Sequence, residues 1–113
     1  MVTTRTDRAT VVATEPMPTY IIQSQWTDQG IRNVKESATR LDLGKKKLKE
    51  MGGEIKAFYL TTGSYDMLAV VDVPDDATLA RHLLWLGAQG NLRTQTVKAF
   101  TEDEFRGIVG KLT

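Results

Sequence analysis

Residues Glu54–Val73 read EIKAFYLTTGSYDMLAVVDV, two runs of β-branched, aromatic and aliphatic residues separated by Gly63-Ser64. Such composition suits pleated, half-buried strands. The reading gives one strand over Glu54–Thr62, another over Tyr65–Val73, and a two-residue Gly-X connection of the type II′ kind, whose twist matches that of the strands it joins. Gly63 is then a turn glycine at positive φ. Alternation puts Tyr65, Met67, Ala69, Val71 and Val73 on one side of the later strand and Leu68 and Val70 on the other. In the earlier strand it sets Ile55, Ala57 and Tyr59 opposite Phe58 and Leu60. A strand apolar on both sides needs cover on both faces of its sheet, and helices on one face leave the other open for an interface.

Working outward, Thr19–Trp26 (TYIIQSQW) reads as a further strand, and Thr27 and Asp28 offer N-cap oxygens to a helix. Ile31, Val34, Ala38, Leu41, Leu48 and Met51 recur at helical spacing, which predicts one helix from about Gln29 to Met51. Gly44 lies on that stripe and is read as close packing against the sheet; Gly52-Gly53 ends the helix. Downstream, Pro74-Asp75-Asp76 caps a second helix with Leu79, Leu83 and Leu86 inward, ending near Gln89-Gly90. Leu92–Phe100 is the fourth strand. Thr101 and Glu104 then form a capping box, with Phe100 and Phe105 at hydrophobic-staple positions, for a last helix whose apolar face is Phe105, Ile108, Val109 and Leu112. The order β-α-β-β-α-β plus α predicts an α+β, ferredoxin-like βαββαβ fold, with an antiparallel sheet and both long helices on one face. The fourth strand should lie beside the first, and the third between the first and second. Residues 1–16 are expected to be a flexible N-terminal tail before a single domain over 17–113, and Met17 is a second possible start.

Composition narrows the chemistry. The chain has no Cys, which excludes disulfides, thiolate metal sites and a Cys nucleophile and fits a cytoplasmic setting. His82 is the lone histidine, so no two-His metal motif exists within one chain. Fifteen Lys plus Arg against fourteen Asp plus Glu leave a net charge of +1, too balanced for charge-driven binding to nucleic acid or anionic membrane. No phosphate loop or nucleotide fingerprint occurs, and no cofactor or metal is expected. The expected partner is the chain itself, as a homodimer or higher oligomer.

Three segments carry a resemblance: MPTYIIQSQWTDQGIRNVKES, GGEIKAFYLTTGSYDMLAVVDVPDD and LGAQGNLRTQTVKAFTEDEF. Together they resemble the GYD-domain family, small bacterial and archaeal proteins of largely unknown function. Gly63, Tyr65 and Asp66 match the motif that names the family, with Ser64 in the intervening place often filled by Arg. Gly90-Asn91, Arg93-Thr94 and Thr96 match a second cluster, and Trp26 to Gly30 a third. The resemblance spans Met17 to about Ile108. It implies a ferredoxin-like chain of the dimeric α+β barrel type and no established reaction.

The candidate ligand-binding residues are Tyr65, Asp66, Asn91, Arg93, Thr94, Thr96 and His82. Tyr65 is a core or interface aromatic, or a proton donor. A carboxylate at Asp66 needs a partner, either Arg93 or a backbone amide of the turn. Asn91, Arg93, Thr94 and Thr96 bring donors together after a glycine, a set that either holds a small anionic or carbonyl ligand or caps a loop. His82 borders the Leu79 and Leu83 stripe and is the one side chain that ordinarily titrates near neutrality. Trp85, off that stripe, is an assembly contact or a cavity wall. These residues predict a homo-oligomeric small-ligand-binding or regulatory module. The alternative is a cofactor-free enzyme of monooxygenase or isomerase type acting on a small carbonyl or aromatic compound.

Overall fold

The structure, a computed structural model, describes residues 17–113; the tail expected over residues 1–16 lies outside the described residues. Strand β1 (Thr19–Trp26) leads into a short helix α1 (Asp28–Arg32), one 3-10 turn (Val34–Glu36) and helix α2 (Ser37–Glu50). Strands β2 (Glu54–Leu60) and β3 (Met67–Asp72) follow, then helix α3 (Asp76–Ala88), strand β4 (Leu92–Ala99) and helix α4 (Glu102–Gly110). All pairings are antiparallel and the strand order is β2-β3-β1-β4, as the crossover rule predicts. The chain is therefore an α+β protein with a ferredoxin-like sheet. No helix among the described residues is long and apolar enough to cross a membrane.

Helices α2 and α3 cover one face. Ile22 from β1, Leu48 from α2, Val71 and Val73 from the β3 side and Leu79 from α3 form the core, flanked by Tyr20, Ile55, Ala69 and Leu83. On the opposite face Ile21, Gln23, Ala57, Leu68 and Val70 are half-buried, and Tyr59, Arg93, Gln95 and Val97 are exposed. Among the described residues none on that face is buried.

Four features depart from the sequence reading. The single helix over Gln29–Met51 is three pieces, because Thr27 caps a first turn at Gly30 and Asn33 ends it at φ −107°, ψ 29°. Strand β2 carries a bulge between Ile55 and Ala57, pairing them with adjacent Val71 and Val70. The extra residue reverses the alternation, so Ile55 joins Phe58 and Leu60 on the helix face instead of Ala57 and Tyr59. The β2–β3 ladder stops at the Leu60–Met67 pair, and residues 61–66 form the connection, with Gly63 at φ +106° and the Thr61 amide donating to the Asp66 carbonyl at 2.8 Å. Finally, α4 has the expected capping box, Thr101 Oγ1 accepting from the Glu104 amide and the Glu104 carboxylate from the Thr101 amide, yet its apolar stripe stays open: Phe105 is 58% and Ile108 47% exposed.

Candidate functional site

The three sequence clusters converge at the end of β1. Asp66 takes the first place: its carboxylate accepts from the Trp26 amide at 3.0 Å, and its own amide donates to the Ser24 carbonyl at 2.9 Å. Gln25 Nε2 reaches the Ser64 carbonyl at 2.7 Å. From the other side, the Thr27 amide donates to the Asn91 carbonyl at 3.0 Å, and the Thr27 hydroxyl donates to the Gly90 carbonyl at 2.6 Å while accepting from the Gly30 amide. Gln29 Nε2 bridges the Gln89 carbonyl and Asn91 Oδ1. Gly30 is required here, because a Cβ would sit 2.0 Å from the Asn91 carbonyl oxygen. Gly90, at φ +82°, turns the chain from α3 into β4. The clusters thus form a clamp around Trp26–Gly30.

Above this clamp, α2 and α3 stand apart over the sheet and leave a partly open cavity of about 400 Å³. Its floor comes from Ile22, Ser24 and Trp26 of β1, Met67, Ala69 and Val71 of β3, and Ile55, Phe58 and Leu60 of β2. Its walls are Ser37, Ala38, Arg40, Leu41 and Gly44 of α2, and His82, Trp85 and Leu86 of α3 with Gln89 at that helix's C-cap. Small residues line the space from both sides, Ala38 and Gly44 from the helix and Ser24 and Ala69 from the strands. Gly44, read as a close-packing position, has no neighbour within 4 Å of where its Cβ would stand. It opens the cavity.

His82 is the one buried ionisable side chain on the wall, 2% exposed, and burial holds its imidazole below the ordinary value. Its Nδ1 has no hydrogen-bond partner among the described residues. The ring stacks on Trp85, with centroids 5.9 Å apart and planes at 21°. Arg40 is the one charged residue of the lining, and its guanidinium is held by the Asn33 carbonyl at 3.1 Å, the Ser37 hydroxyl at 3.2 Å and Glu36 at 3.7 Å.

The sequence candidates therefore divide. His82 and Asn91 line the cavity. Thr94 and Thr96 pair with Ser24 and Ile22 and so face the helices, and Thr96 Oγ1 is buried with no partner among the described residues. Arg93, opposite Gln25, is exposed on the uncovered face and forms no ion pair with Asp66. Tyr65 does not follow Met67 and Ala69; freed from the ladder, its hydroxyl donates to Gln95 Oε1 on the uncovered face. Trp85 is a cavity wall, and Ser24, Arg40 and Phe58 join it without having been singled out. Ser24 alone carried a signal, as a small residue on the same side of β1 as Ile22.

Comparison with known proteins bears on the same segments. The family model described as "GYD domain" matches residues 20–109. The chain is 33% identical over 84 residues to a Thermus thermophilus protein named "Glutamine synthetase and cystathionine beta-lyase binding protein", covering 74% of this chain and 88% of that one. No solved structure matches it significantly. With residues of all three motif clusters meeting at the end of β1 and the family match running from β1 to the last helix, this chain belongs to the GYD-domain family.

Proposed function

We propose that this protein is a homo-oligomeric binding module that takes up a small ligand and exerts its effect through contacts with other proteins. The cavity supports the proposal: it is of ligand size, its lining is mainly apolar, and Ser24, His82 and Asn91 are among the few polar residues along it. Proton-transfer catalysis calls for an acid and a base working together, and here one imidazole stands against an Arg40 already engaged. His82 and Asn91 contact the ligand in this proposal. Tyr65 and Arg93 serve the uncovered face, where Arg93 meets an anionic group of a neighbour. Support for protein partners comes from the Thermus relative, whose name makes it a binding protein for two enzymes. Glutamine synthetase and cystathionine β-lyase from this chain's own source are the first partners to try.

Crystals soaked with a library of ring-sized compounds test the ligand. Density beside His82 is expected, and a cavity empty across the library overturns that part. Light scattering of the chain, alone and with each enzyme, tests the contacts. A mass of at least two chains, rising further with an enzyme, is expected; a single-chain mass unmoved by either overturns them.

A further inference from the structure

Resting on the homo-oligomer reading above, we propose that two copies of the chain exchange their last helices, the apolar stripe of α4 from each lying on the uncovered sheet face of the other. Register defines the receiving surface. Ala57, Val70, Ile21 and Val97 pair in turn across β2, β3, β1 and β4, so one apolar row crosses all four strands on the face away from α2 and α3. Leu68 and Tyr59 stand beside it, paired with each other in the neighbouring row. The apolar row lies next to the end of the sheet where Ala99 closes β4 and α4 departs.

The donating surface is α4. Phe105, Ile108 and Val109, with Leu112 just past the helix, recur at helical spacing and form one side, while Asp103 and Arg106 lie off it. These apolar residues are all exposed, and α4 has no extended packing on any strand or other helix of its own chain. A helix of nine residues is marginal by itself in water, so this stripe needs a surface to rest on. Only Phe100 and Thr101 separate α4 from the edge strand β4, and the helix they start runs clear of its own sheet. Area favours a reciprocal contact. Each surface offers on the order of a few hundred Å² of apolar area, whereas a specific pair of proteins buries about 800 Å² on each partner. One helix on one sheet face falls short of that. In a two-fold exchange every chain buries both its stripe and its row, which doubles the area, closes the assembly and leaves neither apolar surface open. The row and the stripe are free of charged side chains, so their contact takes no ion out of water.

The chain has no Cys, so introduced thiols report on this contact alone. Chains carrying Ile108→Cys and Val70→Cys, each with its own affinity tag, are coexpressed, and a short bismaleimide is added to the mixed assembly. The exchange holds the two thiols together at a high effective concentration, so Ile108→Cys chains should link to Val70→Cys chains at least about tenfold faster than Val70→Cys chains link to one another. Ile108→Glu, at a position exposed in the single chain, should keep the wild-type circular dichroism and scatter light as one chain. If Ile108→Glu does not fold, the cross-linking decides. Faster linking of Val70→Cys to its own kind means that the sheets meet directly. A product of single-chain mass from the double variant Val70→Cys/Ile108→Cys means that α4 folds back on its own sheet. An Ile108→Glu variant that keeps the wild-type mass takes α4 out of the interface. Each of these three results overturns the exchange, and with a wild-type mass of two or more chains the homo-oligomer stands. A wild type that scatters as a single chain removes the homo-oligomer reading itself.

Discussion

Gly30 shows how much a single residue settles at the clamp. Its α-carbon packs so closely on the Asn91 carbonyl that a methyl group would overlap it, at 2.0 Å, and that oxygen already accepts from the Thr27 amide. Gly30→Ala must therefore pry the α1 turn from β4, at a cost of about 1–3 kcal/mol, the usual range for overpacking a close contact. A lower melting temperature with retained far-ultraviolet circular dichroism is the expected result, and an unchanged one contradicts the contact. His82 makes a different prediction. Burial depresses its folded pKa below the unfolded 6.5, so between those values the unfolded chain binds more protons, and stability rises with pH. The contribution of the neutral ring is complete above about pH 6.5 and declines as pH falls toward the folded value. His82→Phe should flatten the fall in urea-unfolding free energy from neutral to mildly acid pH, and a variant as acid-sensitive as the wild type would sink the argument. The sequence identified His82 as the one near-neutral titrating group. It did not reveal the burial, because how far a border position on α3 is covered depends on tertiary packing that the helical period does not specify.

Among the elements, those set by local chemistry were the legible ones. The capping box at Thr101 and Glu104, the Asp75 cap accepting from the Thr78 amide, the Gly52 stop at φ +92° and the positive φ of Gly63 all follow from rules that act within four residues. The β2 bulge depends on its pairing with β3 and the break after Arg32 on Asn33 leaving helical geometry, and the 3.6-residue and two-residue periods ran straight through both. Gly44 combines the two levels. Sequence places it mid-helix, where glycine costs about 1 kcal/mol relative to alanine. The structure shows that the cost is not recovered by packing, since nothing stands within 4 Å. Gly44→Ala should therefore stabilise the protein by about that amount, read as a higher urea midpoint at constant slope, while narrowing the cavity by one methyl group. A destabilised variant would mean that α2 approaches the sheet more closely than its empty flank indicates.

For the molecule as a whole, the unresolved balance is between its two sheet faces. Helices α2 and α3 cover one, and the face bearing Ile21, Leu68, Val70, Tyr59 and Val97 has no cover among the described residues. The two-sided apolarity of β3 was readable in alternation alone, but which residues face outward was not, because only the packing of Val71 and Val73 into the core fixed Leu68 and Val70 as the outer pair. Leu68 is the telling position. It lies on a central stretch of the sheet, opposite Gln23 on one side and Tyr59 on the other. In an isolated chain Leu68→Glu leaves its carboxylate hydrated, so folding should be little affected. In an assembly that apposes this face to a second copy, the same substitution buries an unpaired charge on both sides of the symmetry axis, and such a charge is strongly destabilising unless compensated. Wild-type chain should thus scatter light as at least a dimer with a melting temperature that rises with concentration. Leu68→Glu should scatter as a monomer whose melting temperature does not. Glu at Val71 would test nothing about assembly, because Val71 is fully buried in the core and the variant would unfold. A wild type already monomeric at micromolar concentration, or a Leu68→Glu variant that keeps the wild-type mass, would place the missing cover somewhere other than a second copy of this sheet.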